Sequence, residues 1–151
     1  PLPHADRLID QVLAEFERPD YERTAGGCDE WDNLFVLAMA VDQTEHDRSE
    51  ELRVLAARRI RRIPEVYGKP DGGLSFLPDH CQPNWIGIDM APQRPQGDAM
   101  GLCIVACAIN QCIDLLGLHE ATRWTGDGRT GDKKPESEDI RHAIRERLTA
   151  I

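Results

Sequence analysis

The amino-acid sequence predicts an all-α protein of alternating inner and outer helices, and three observations carry that prediction. Several segments repeat their apolar residues with helical periodicity. Two others, around "LFVLAMAV" and "AMGLCIVACAI", are apolar on every side, which marks helices packed all round. The amphipathic and all-apolar segments alternate along the chain, as a two-layer helical ring or solenoid requires and a simple four-helix bundle does not.

The first helix covers 4–17. Leu8, Ile9, Val12, Leu13 and Phe16 make its apolar face, and Pro19 stops it. The second covers 29–44 and is entered through "GGCDEWDNLF". There Cys28 or Asp29 serves as the cap, and Asp29, Glu30 and Asp32 suit the positive end of the helix dipole. The third runs from Ser49, its N-cap, to Val66, with Leu52, Leu55, Ala56, Ile60 and Ile63 as its stripe and Pro64 bending its last turn. Arg53, Arg58, Arg59, Arg61 and Arg62 fill its remaining surface as a solvated outer face.

Residues 68–96 hold five prolines and four glycines and form a long loop, with a short strand around Leu74 to Leu77. The fourth helix covers 98–117, opened by Asp98 and stopped by Gly117, with Cys103 and Cys107 as small core residues one turn apart. The organisation is therefore helical hairpins over 1–124, a polar linker over 125–135 and a C-terminal helix over 136–151, with Ile140, Ile144 and Leu148 on one face.

A length of 151 residues suits one domain or a piece of a larger one, and a start at Pro1 reads as a processed product or a fragment. A net charge of −9 argues against nucleic acid and anionic membrane as partners. No apolar run reaches the length of a membrane span, and no signal segment opens the chain. Five cysteines without a Cys-x-x-Cys pair point to a reduced, cytoplasmic setting.

The second and third helices followed by "KPDGGLSF" resemble one repeat of the α/α-toroid superfamily, which includes squalene and terpenoid cyclases and protein prenyltransferase β subunits. Asp71, Gly72, Gly73 and Phe76 match its Asp-Gly-Gly turn and aromatic residue, and "QGDAMGLCIVACAINQCIDLLGL" looks like the next inner helix. The resemblance spans roughly residues 26–118 and implies a partial α/α toroid, part of a ring that a partner chain or further hairpins would complete.

In such toroids the inner-helix N-termini open onto a central cavity. The resemblance therefore makes Asp29, Asp32 and Asp98 the candidate acid–base residues, with Trp31, Phe76 and Trp85 lining the cavity. A carboxylic acid facing an apolar cavity has a raised pKa and can protonate a ligand. "DEWD" stands where class II terpenoid cyclases carry Asp-x-Asp-Asp, and it lacks the adjacent Asp pair. No cofactor is expected. Zinc is the alternative, through Cys28 and Asp29 as in prenyltransferase β subunits, but His80 and His119 have no ligand spacing to them. The expected ligand is small and apolar or sugar-like. Two other readings stand beside the cyclase or transferase one: a non-catalytic helical-repeat module that binds a partner or closes a ring, and a carbohydrate-active toroid using paired carboxylates. An aromatic content of 5% speaks against both cyclase and sugar sites.

Overall fold

The structure, a computed structural model, describes residues 2–118 and four later positions, His142, Arg145, Glu146 and Thr149. The expected linker over 125–135 and most of the expected C-terminal helix lie outside the described residues. The described part is mostly helical: α1 (Ala5–Phe16), α2 (Tyr21–Thr24), α3 (Gly27–Ala40), a 3₁₀ turn at Val41–Gln43, α4 (Ser49–Tyr67) and α5 (Ala99–Leu115). A two-stranded antiparallel hairpin, β1 (Asn84–Trp85) and β2 (Ile88–Asp89), interrupts the long loop.

α3 and α5 start side by side. The Gly27 N–H donates to the Phe76 carbonyl at 2.8 Å and the Asp98 N–H to the Leu74 carbonyl at 3.0 Å, so the short segment 74–76 ties both starts together. They also end side by side, since Ala38 and Val41 share a cleft with Asp114 and Leu115. The two helices therefore run parallel. α4 runs the other way: Ser49 and Leu52 line that same cleft, while the Tyr67 hydroxyl at its far end donates to the Ala25 carbonyl at 3.1 Å. α1 packs on α3. Ile9, Leu34, Leu37, Leu52, Ile63, Tyr67 and Val105 are wholly buried where these helices meet. Each buried aliphatic side chain of this size stabilises the fold by about 1.5–3 kcal/mol before entropy is counted.

The structure corrects several expectations. α3 and α5 are not buried all round. α3 buries Leu34, Leu37 and Ala40 and exposes Phe35 and Met39. α5 buries Val105, Ala108 and Cys112 and turns Leu102 outward. Cys103 and Cys107 are exposed rather than core residues. An apolar composition on every side shows that a helix tolerates neighbours on every side, not that this chain supplies them. α3 starts two residues early, at Gly27, and gives way to the 3₁₀ turn at Val41. Arg48, not Ser49, holds the N-cap position of α4, and the Asp47 carboxylate accepts the Ser49 N–H at 2.9 Å. The expected strand at 74–77 is a single bridge between Gly68 and Leu74, and the true hairpin lies ten residues on. The Asp-Gly-Gly turn forms as expected: Gly72 has φ +80°, where a side chain is strained, and Asp71 accepts the Gly73 N–H at 3.0 Å.

Candidate functional site

Most of the expected site residues come together where α3 and α5 begin. Gly26 precedes α3 in an extended conformation, and its N–H donates to the Asp29 carboxylate at 2.7 Å. Asp29 is thus the acid of a half capping box, reaching back from the third helical position, since Gly26 has no side chain to answer it. Neither Cys28 nor Asp29 is the expected N-cap residue, because both already lie inside the helix and Gly26 holds that position.

Asp98 is the N-cap of α5. One carboxylate oxygen accepts the Gly101 N–H at 2.6 Å, and the other accepts the N–H groups of Phe76 and Gln82, both at 3.0 Å. A single carboxylate therefore closes the helix and fixes both the 74–76 segment and the start of the hairpin. Asp71 does similar work alongside, taking the Gly97 N–H at 3.0 Å as well as that of Gly73. These backbone donors hold the Asp71 carboxyl below its ordinary value, the Gly73 N–H foremost.

Asp32 stands apart. It is exposed on α3, and among the described residues no hydrogen bond joins it to Asp98. Trp31 is half-buried and lies against Phe35, with ring centroids 6.5 Å apart. Phe76 packs over the start of α3 beside Gly26 and Gly27. Trp85 meets Phe76 edge to face at 6.0 Å, so the two aromatic residues hold the hairpin down on the helix starts. Cys28 is half-buried next to Asp29. Burial pushes its thiol up, and the nearby Asp32 and Asp29 carboxylates add to that, an environment unlike that of a metal-binding thiolate. Among the described residues no three of His, Cys, Asp and Glu converge as a metal site needs.

The strongest electrostatic feature was not anticipated. Arg59 belongs to the helix expected to show a solvated arginine face, yet it is 3% exposed, and Glu30, expected to serve the helix dipole, is fully buried. They form a bidentate pair, with Arg59 Nε donating to Glu30 Oε1 and Nη2 to Oε2, both at 2.8 Å. Arg59 Nη1 reaches Glu22 at 3.1 Å, and Glu22 also accepts from Arg62. The Arg59 guanidinium lies 5.4 Å from the Phe16 ring centroid and 5.5 Å from that of Tyr21, near both rings. Burial pushes the Glu30 carboxyl up while the Arg59 hydrogen bonds pull it back. Arg62 holds Glu22 down at about 2. The signal was the spacing: Arg59 falls between Ala56 and Ile63, two members of the buried stripe of α4, and at 0% exposure so near it the Glu30 charge needs a partner.

A further cleft of about 440 Å³ opens between the end of α1 and the start of α3, lined by Glu15, Arg18, Tyr21, Thr24, Asp29 and Asn33. Its polar groups are largely engaged with one another or with the backbone. Arg18 pairs with Glu15 at 2.8 Å, Thr24 donates to the Asp20 carbonyl at 2.9 Å, and Asn33 donates to the Tyr21 hydroxyl at 3.3 Å.

Among the described residues no helix is long and apolar enough to cross a membrane. No family model, no curated protein and no solved structure matches the chain.

Proposed function

We propose that the chain is a segment of an α/α ring and acts as a ring-building, partner-binding module rather than as a catalyst. The observation that carries this reading is the apolar surface on its two parallel helices: Phe35 is 45% exposed and Met39 53% on α3, and Leu102 is 57% exposed on α5. Isolated exposed apolar residues are ordinary, but large apolar side chains turned outward on both of two adjacent parallel helices suit further packing. Parallel α3 and α5 with antiparallel α4 also suit the repeat that "KPDGGLSF" resembles. In that ring, α3 and α5 would be inner helices and α4 an outer one.

The acid–base alternative draws less support from the geometry. Each oxygen of Asp98 is occupied by backbone N–H groups, one oxygen of Asp29 holds Gly26, and Asp32 stands in water. An acid matched to proton transfer needs a free oxygen toward its ligand.

Bis-ANS fluorescence tests the reading. The purified chain is expected to bind this apolar dye, and Phe35→Ser and Leu102→Ser are each expected to weaken binding without loss of helix by circular dichroism. A monomeric chain that binds no dye would overturn it, because both faces would already be covered within one molecule.

A further inference from the structure

The stretch "CIVAC", residues 103–107, sets two thiols four positions apart on α5. Both are exposed, on the side of the helix away from the buried Val105, Ala108 and Cys112. Those buried residues seat α5 in the body, so a packed helix and not a loop fixes the spacing of the two thiols. Residues four apart in an α-helix keep their Cβ atoms about 5–6 Å from each other. A disulfide needs about 3.5–4.5 Å, so the two thiols do not close on each other while the helix is intact. A metal–thiolate bond is about 2.3 Å long, so an ion held in line between two thiolates keeps the sulfurs roughly 4.6 Å apart. Rotation about the two Cα–Cβ bonds reaches that span without moving the backbone.

The surroundings narrow the choice of ion. Ala99, Leu102, Ala106 and Asn110, the exposed residues around the pair, bring neither carboxylate nor imidazole. Among the described residues no third His, Cys, Asp or Glu joins the two thiols. Zinc would be left with half of its tetrahedral set, and hard ions such as Mg²⁺ and Ca²⁺ want oxygen. A soft, closed-shell ion such as Cu(I) prefers thiolates and is satisfied by two of them in a line.

We propose that Cys103 and Cys107 form a clamp on α5 for one soft, two-coordinate cation of the Cu(I) class. Binding releases one proton from each thiol, and the loaded pair, two thiolates around one positive charge, carries a charge of −1. Affinity therefore rises with pH. The clamp needs no neighbour on this face, so it goes beyond the ring-segment reading and does not depend on it.

The reduced full chain is titrated without oxygen with Cu(I), supplied as its acetonitrile complex, in competition with bicinchoninate, whose Cu(I) complex is coloured. The expected result is one Cu(I) per chain on a monomer. Cys103→Ser and Cys107→Ser are each expected to lower the affinity roughly a hundredfold or more, because one thiolate has no second donor within reach. Helix content by circular dichroism should stay unchanged, since both positions are exposed. Cys107→Ser/Asn110→Cys keeps two exposed thiols but sets them two turns, roughly 10 Å, apart, and is expected to bind no better than Cys107→Ser alone. A chain that leaves all the Cu(I) with bicinchoninate overturns the proposal. So does a single variant with undiminished affinity, which would assign the ion to Cys28, Cys81 or Cys112. Wild-type affinity in the two-turn variant, or half an equivalent of Cu(I) bridging two chains, overturns it as well.

Discussion

At the residue scale the buried Glu30–Arg59 pair has the most at stake. Removing two charges from water costs several kcal/mol per ion, and the geometry offsets that only because both Arg59 nitrogens face a carboxylate oxygen at 2.8 Å. Arg59→Met is expected to cost about 3–5 kcal/mol, since it strands a buried carboxylate. Replacing both residues by Met should recover most of that loss. Urea unfolding of the two variants checks this, and a double variant no more stable than the single one would mean that the pair is not the reason Arg59 matters. Asp29 answers to the opening "GGCDEWDNLF" in a smaller way. Its Gly26 hydrogen bond has the strength of an ordinary cap, roughly 1 kcal/mol.

At the scale of single elements, two backbone features make sharp expectations. Gly101 sits in the first turn of α5 where an added Cβ would lie 2.2 Å from the Ser75 carbonyl carbon, so the helix and the 74–76 segment touch backbone to backbone. Gly101→Ala should destabilise the protein by about 1–3 kcal/mol despite the better helix propensity of alanine. Thermal unfolding decides it, and an unchanged or higher Tm would show that the segment is not held against α5. In the hairpin, Ile86 has φ +49° and Gly87 φ +80°, the paired left-handed geometry of a two-residue turn that favours Asn-Gly. Ile86 is 85% exposed, so its side chain gives back nothing for a conformation that branched residues avoid. Ile86→Asn is expected to stabilise the chain by about 1 kcal/mol, measured by the same unfolding, and a loss of stability would mean that the side chain has a role the exposed position conceals.

At the scale of the whole molecule, acid is the informative perturbation. Arg62 and, with it, Arg59 hold Glu22 down at about 2, against an ordinary 4.5. The stability this supplies is complete above about 4.5 and is lost as the pH falls toward 2. Burial pushes Glu30 the other way, so its protonation offsets part of the loss. Stability measured between pH 6 and pH 2 should therefore decline mainly below pH 4.5, and Glu22→Gln should flatten that decline. A wild-type curve already flat there would remove Glu22 from the account. Much of this architecture could be read from the sequence, because helices announce themselves by periodicity: Leu52, Leu55, Ala56 and Ile63 marked the buried side of α4 correctly. Burial itself was less legible. Leu102, Cys103 and Cys107 sit in a run that looks like core, and only the number of neighbouring helices decides whether a given side is covered. Arg59 and Glu30 were misplaced for the converse reason, since composition assigns charge to water and cannot see a partner from a distant helix closing over it.

The carboxylates of Asp71 and Asp98 have one more consequence. Between them they grip the chain where it leaves the helical body, at Phe76, and where it returns, at Gly97. The intervening stretch is also pinched at its base, where the Cys81 N–H donates to the Arg94 carbonyl at 2.9 Å. Entry and exit are thus fixed without help from the hairpin tip. The tip is in effect a cassette in a socket: its length and residues are free to drift, or to be exchanged for a different peptide, while the helices keep their register. Lineages carrying this scaffold would be able to vary what it presents at this rim without redesigning what supports it.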